Sequence, residues 1–350
     1  MITRAQITSV GARTSLGLNA LQTGFLYRTG MAALRESALL DAAEGRVTFC
    51  HLETLDPYLS GSTRAWALAQ PAIDECLAPH RDILQKLRLE VLTFVDEFVG
   101  ERNVDGSCDA EDIGAMVQRH VRRSIHESVI TRTSTSGPAG PALLLPEAIE
   151  RLRTGQSDAL LWGGIHTDYS PRRIAALEHL KRLYHPEQLD ALVPGDGSAW
   201  VLCIAPGRAR QYGMRVFGEI IACGEGHDKA RPDNDESAYE AAGLTLAVRR
   251  VLNDLNQQPF GWWLSDISYE AFRVQEWQSV LTRLSDAFTE PQQLDAPPQR
   301  LGYLGGATLP LCCVLAAEAW RRGWAPHDRA LCTAGSDSGA RGALALQAPR

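Results

Sequence analysis

Two rhythms of apolar residues alternate along this chain. Short runs rich in β-branched and aromatic residues read as strands: ITSVGA (7–12), LEVLTFVDEFV (89–99), DALLWGG (158–164) and SAWVLCIA (198–205). Between them the apolar residues recur at helical spacing. That spacing predicts helices over LNALQTGFLYRTG, over RAWALAQPAIDECL (64–77), over the charged residues 109–130, and from the turn TRTSTSGPAG (131–140) to about Arg153.

The order then repeats. RVFGEIIACG (215–224) reads as a strand, and SAYEAAGLTLAVRRVLND (237–254) as a helix with Ser237 as N-cap and Glu240 completing a capping box. GWWLSDIS (261–268) is a strand, and LGGATLPLCCVLAAEAWRRG (304–323) is a small-residue turn feeding a helix. RALCTAGS (329–336) and RGALALQ (341–347) close the chain as strands. GPAGPALLLPEAIERLRTG with DALLWGG lays onto LGGATLPLCCVLAAEAWRRG with RALCTAG: a small-residue turn, an apolar helix with an early proline, a basic end at Gly, then a strand. Strands alternating with helices in a duplicated order point to an α/β protein with mostly parallel sheets buried on both faces. We place the two halves at residues 1–207 and 208–350. The charged stretch 170–197 and DAPPQ (295–299) read as surface loops.

Composition narrows the function classes. The 350 residues suffice for a large core without staples. A net charge of -7, spread along the chain, argues against nucleic acid as a partner. The N-terminal MITRAQITSVGARTSLG lacks the apolar core of a signal peptide, and no run of about 18 apolar residues marks a membrane span, so a cytoplasmic protein is expected. None of the eight cysteines (Cys50, Cys76, Cys108, Cys203, Cys223, Cys312, Cys313, Cys332) forms a C-x-x-C pair, and most sit in apolar runs, as buried free thiols do. The histidines do not share a helix face, so neither a metal nor another cofactor is expected. Gly195-Asp196-Gly197 reads as a turn, Trp262 and Trp263 as core aromatics, and Arg122-Arg123 as a solvated helix face.

Over nearly its whole length the chain resembles the β-ketoacyl synthases of the thiolase fold. The likeness rests on ITSVGARTSLGLNALQTGFLYRTG, TSTSGPAG, DALLWGG, PGDGSAWVLCI, GYLGGAT and GSDSGARGALAL, in that order and at that spacing. It implies two similar halves in a five-layered α/β/α/β/α sandwich, normally dimeric. The family's cysteine nucleophile matches Ser134. The stretch that carries its first histidine reads LSDISYEAFRVQEW here, with Ser265 or Asp266 nearest the position. The second histidine is replaced by Tyr303, and the phenylalanine that gates the acyl pocket by Asp337.

Each position that does the family's chemistry therefore departs from its pattern. A helix N-terminus readily ionises a thiol, but a serine hydroxyl needs an adjacent general base. Two oxyanion donors, each worth roughly 3 kcal/mol, are also required, and a carboxylate at Asp266 opposes the charge they serve. Pro146 falls inside the helix behind the turn, so that helix is expected to start late or to kink. If Ser134 still reacts, His166 and Asp168 are the best partners for a triad. No G-x-S-x-G elbow is present.

The expectation is a catalytically degenerate ketosynthase-like protein that acts by binding a protein partner, as a homodimer or heterodimer. SDISYEAFRVQEW is similar, through Asp266, Glu270, Arg273, Glu276 and Trp277, to short thiolase-like proteins of bacterial gene clusters. Ser268 and Tyr269 depart from that pattern. Some of those clusters encode type VI secretion effectors, which implies an adaptor or loading role. The alternatives are a chain-length-factor-like partner of an active ketosynthase, and an acyltransferase or hydrolase using Ser134 on thioesters.

Overall fold

The computed structural model describes residues 4–97, 109–232 and 238–349. Its strands are β1 (Ala5–Thr14), β2 (Arg35–Leu40), β3 (Arg46–Phe49), β4 (Leu89–Phe94), β5 (Ile130–Ser134), β6 (Ala159–Thr167), β7 (Asp196–Ile204), β8 (Gly218–His227), β9 (Phe260–Ser265), β10 (Phe288–Asp295), β11 (Arg329–Gly335) and β12 (Ala340–Gln347). Ten of them hydrogen-bond in the order β10-β9-β11-β12-β8-β1-β7-β6-β4-β5, while β2 and β3 form a separate hairpin. Read outward from β1, and again from β8, the five strands of each half fall in the same order, with the same parallel and antiparallel partners. The halves meet where Ala5–Ile7 of β1 pairs with Gly218–Ile220 of β8.

Helices complete the five layers. Gly61–Leu77 and Ala110–Ser124 cover one outer face, and Ala242–Asp254 and Ala271–Arg283 the other. Between the sheets lie Gly140–Thr154 and Thr308–Arg322, the pair matched in the sequence. Each follows a single tight turn, Gly137–Ala139 or Gly305–Ala307, and each ends on a left-handed glycine, Gly155 or Gly323. The apolar side chains divide accordingly into a central cluster around Trp162, Leu145 and Leu311 and two outer clusters, around Ile73 and Val117 and around Val248 and Trp263. This is the thiolase fold. No helix among the described residues is long and apolar enough to cross a membrane.

Several expectations need correction. β5 and β10 are edge strands whose sequences alternate poorly, and spacing did not reveal them. The stretch 170–197 is not a surface loop: it holds the helix Pro171–His179, capped by Ser170, and the buried Arg182. Pro297 and Pro298 are buried as well. The helix after β8 starts at Ala242, so Glu240 precedes it, and Ser237 lies outside the described residues, as does Cys108. Pro146 does not delay its helix, which runs unbroken through it. The other cysteines are free, and all but the partly buried Cys223 are fully enclosed.

One buried ion pair ties the outer layer to the sheet. Arg64 of Gly61–Leu77 donates to Asp196, the first residue of β7, through Nε at 2.8 Å and Nη2 at 2.7 Å, with side chains 1% and 0% exposed. Thr167 donates to the other carboxylate oxygen at 2.5 Å. Gly195-Asp196-Gly197 is thus a strand start with a structural charge. Asp196→Ala leaves Arg64 buried without its counter-charge, which costs about 3–5 kcal/mol. Urea unfolding should show this as a marked fall in midpoint. An unchanged midpoint would mean that the pair does not hold this helix to the sheet.

Candidate functional site

The site gathers where strand ends meet the turns that lead into the two central helices. Parallel pairing with β4 sets Ser134 opposite Phe94, and its carbonyl accepts from Val95 N–H at 2.9 Å. Its hydroxyl bonds to that of Ser136. The next turn is fastened by Ser336, whose hydroxyl donates to the Ser136 carbonyl at 2.6 Å and accepts from Ala139 N–H at 3.0 Å. Gly140 N–H is spent on the Gly137 carbonyl. Pro138 and Pro141 have no N–H to offer. The helix start behind Ser134 therefore has its amides absent or engaged at residues 138 to 141, where a nucleophile would need them.

A second group forms around His166 at the end of β6. Its Nε2 lies 3.0 Å from Asp168 and its Nδ1 3.7 Å from Asp96. Arg173 donates to Asp168 at 2.7 Å, and Tyr303 donates to Asp96 at 3.1 Å, its ring edge-on to the imidazole at 5.0 Å. Gly305 has a φ of +45°, and a Cβ there would stand 2.4 Å from His166 Nδ1, so the glycine lets the turn close over the ring. Burial pushes the imidazole towards neutrality, but the Asp168 and Asp96 carboxylates outweigh it and raise the pKa of His166. Burial also opposes charge on Asp168, yet His166 and Arg173 hold it well below the usual carboxylate range. In Asp96 burial wins and lifts its pKa to about 6. The raised pKa favours the imidazolium form, which cannot accept a proton.

The third group is a lattice of buried ions. Arg182 donates to Glu270 at 2.7 Å and to Asp337 at 2.6 Å. Arg273 reaches Asp337 at 3.4 Å, Asp266 at 3.6 Å and Glu276 at 3.8 Å. Arg341 closes on Glu276 at 2.6 Å. Asp266 also accepts from Gly335 N–H at 2.7 Å. Burial disfavours the Asp337 charge, but Arg182 and Arg273 hold its pKa below the usual value. Ser265, at the end of β9, accepts from Thr333, which in turn accepts from the Trp263 indole.

The structure thus brings Asp266 and Asp337 into one lattice, with Ser265 on the strand that leads to it. Tyr303 stands with His166. Ser134 meets the loop of Asp337 through Ser136 and Ser336. Among the described residues its hydroxyl makes no hydrogen bond to His166, so His166 and Asp168 assemble without it. Sequence reasoning missed Asp96, Arg173, Arg182 and Ser336. Asp96 follows a strand end, where such sites collect, and that signal was in reach. The arginines were hidden in a stretch that looks solvated.

No family model and no curated protein matches this sequence. Among solved structures it is similar to a type II polyketide synthase complex of an acyl-carrier protein with its ketosynthase, AntDE:AntF, at TM-score 0.79 and 13% identity over 100% of both chains. The ishigamide ketosynthase/chain length factor gives TM-score 0.79 and 16% identity, again over 100% of both. An oxazolomycin ketosynthase domain of Streptomyces albus JA3453 gives TM-score 0.77 and 14% identity over 99% of this chain and 76% of that one. The chain has the fold of ketosynthases and chain length factors.

Asp96 makes a pH prediction with a definite sign. Its pKa rises on folding from 3.8 to about 6, so between those values the folded chain holds a proton that the unfolded chain has lost. Stability from this group falls as pH rises through that window. Asp96→Asn, which stays neutral, should gain on the parent by on the order of 2–3 kcal/mol between pH 4 and pH 7. Urea midpoints at the two pH values test this. A constant difference, or one that shrinks with pH, would contradict it.

Proposed function

We propose that this chain is a non-catalytic ketosynthase-like subunit that acts by binding a related thiolase-fold chain, with residues 1–207 and 208–350 as its two halves. The observation that carries the reading is the fate of the acyl-gate position. Asp337 stands where the family has a mobile phenylalanine, and two buried arginines pin it. The nucleophile position is Ser134, and the histidine positions are Ser265 or Asp266 and Tyr303. Each is engaged in a structural contact, so decarboxylative condensation has neither a thiolate nor its donors. The ketosynthase/chain length factor similarity supports a paired subunit, as homodimer or heterodimer.

The secretion-adaptor reading gives way to this one on physical grounds. Glu270, Arg273 and Glu276, which carried that resemblance, are buried, and with Asp266 they are spent on the ion lattice. They hold the site together and offer no docking surface.

A second reading, acyl transfer by Ser134, is favoured by one observation: a cleft of about 340 Å³ opens beside it, lined by Phe94, Thr135 and Leu144. Intact mass after incubation with acyl-coenzyme A and acyl-carrier thioesters separates the two. The pseudoenzyme reading expects no adduct. One acyl group, absent in Ser134→Ala, would overturn it.

A further inference from the structure

The first helix, Ala20–Arg28, is apolar on two sides. Ala20, Thr23, Gly24 and Tyr27 are buried, and the helix lies on the end of Thr308–Arg322. Leu21 and Phe25, one turn apart on its other side, are 39% and 50% exposed, and Leu18 and Met31, which flank the helix, are 43% and 49% exposed. Phe25 meets the half-buried Trp324 at 6.3 Å between ring centres, and Arg28 lies 5.2 Å over the same indole. A solvated helix has no need of a second apolar side, and one flanked in this way marks a contact surface.

Charge tells what the contact is. From Ser15 to Leu34 the only charged residue is Arg28, and among the described residues it makes no ion pair. At the end of Thr308–Arg322, Arg321 and Arg322 are exposed and, among the described residues, share one acid, the buried Glu318, while Arg321 also lies 4.7 Å over the Phe217 ring. On a chain of net charge -7 this face is apolar and basic. Beside it a cleft of about 260 Å³, walled by Tyr27, Trp262 and Trp324, has room for an apolar anchoring side chain; its carboxylate, Asp295, accepts from the Trp262 indole, and Arg300 stands in the same wall.

We propose that this face docks an acidic amphipathic helix of a partner protein. Its apolar side would lie along Leu18, Leu21 and Phe25, and its carboxylates would meet Arg28, Arg321 and Arg322. Isologous pairing with a second copy would set these arginines against themselves. A flat lipid surface would leave the cleft unfilled.

The test uses the full chain and a fluorescent helical peptide of Leu-Glu heptads, with a Leu-Lys peptide of the same pattern as control. Fluorescence anisotropy should show the acidic peptide bound at least about tenfold more tightly, with affinity falling as salt rises. Phe25→Glu should weaken binding about tenfold, and Arg28→Glu should weaken it and flatten the salt dependence. Leu246→Glu, an exposed leucine on another helix, should change nothing. Equal affinity for both peptides, or binding indifferent to Phe25 and Arg28, would overturn the proposal. So would a Phe25-dependent dimer in light scattering, or Arg28-dependent binding to anionic phosphatidylglycerol vesicles without peptide binding. Circular dichroism checks each variant's fold, and Arg28→Glu decides if Phe25→Glu does not fold.

Discussion

A charge taken out of water must meet its opposite, and the centre of this protein is arranged around that demand. Arg182, Arg273 and Arg341 are buried with Glu270, Glu276 and Asp337 at the strand ends, with Asp266 at the margin. Each carboxylate answers a guanidinium on another element, and removing Glu276 strands Arg341, which has no other acid among the described residues, in low dielectric. The lattice joins the stretch after Pro171–His179, the helix Ala271–Arg283 and the loop after β11. On our reading, an ion cage has replaced the space and the mobility that a condensing site requires.

The same economy governs the turn at Ser134. A helix N-terminus activates a nucleophile only through N–H groups left without partners. Here two of the relevant residues are prolines, and Ser336 and Gly137 take the other two amides. The hydroxyl is left to bond with Ser136. The fold supplies the elbow, while its side chains and prolines withhold the chemistry.

Much of the fold was legible because it rests on local pattern. The helix Thr308–Arg322 and β6 are apolar almost throughout and announce themselves as buried. The repeat of small-residue turn, apolar helix and strand revealed the duplication even at weak identity. What stayed hidden depends on distant partners. Arg182 and Asp337 are 155 residues apart, and nothing near Arg182 in the sequence distinguishes it from a solvated arginine. β5 is an edge strand with a polar, half-exposed pattern and takes its conformation from β4. The site residues Ser134, Tyr303 and Asp337 were found through resemblance. The partners that fix them, Arg182 and Ser336 among them, became visible only with the fold.

On our reading the turn at Ser134 lacks both a thiol and the free amides that activate a nucleophile. Restoring the thiol alone tests this most directly: a Ser134→Cys variant is incubated with acyl-coenzyme A and its intact mass recorded, with iodoacetamide labelling as proof that residue 134 is accessible. Alkylation by the small reagent and no acyl adduct are expected. Stoichiometric acylation of the Ser134→Cys variant would show that the turn still activates a nucleophile and would contradict this reading.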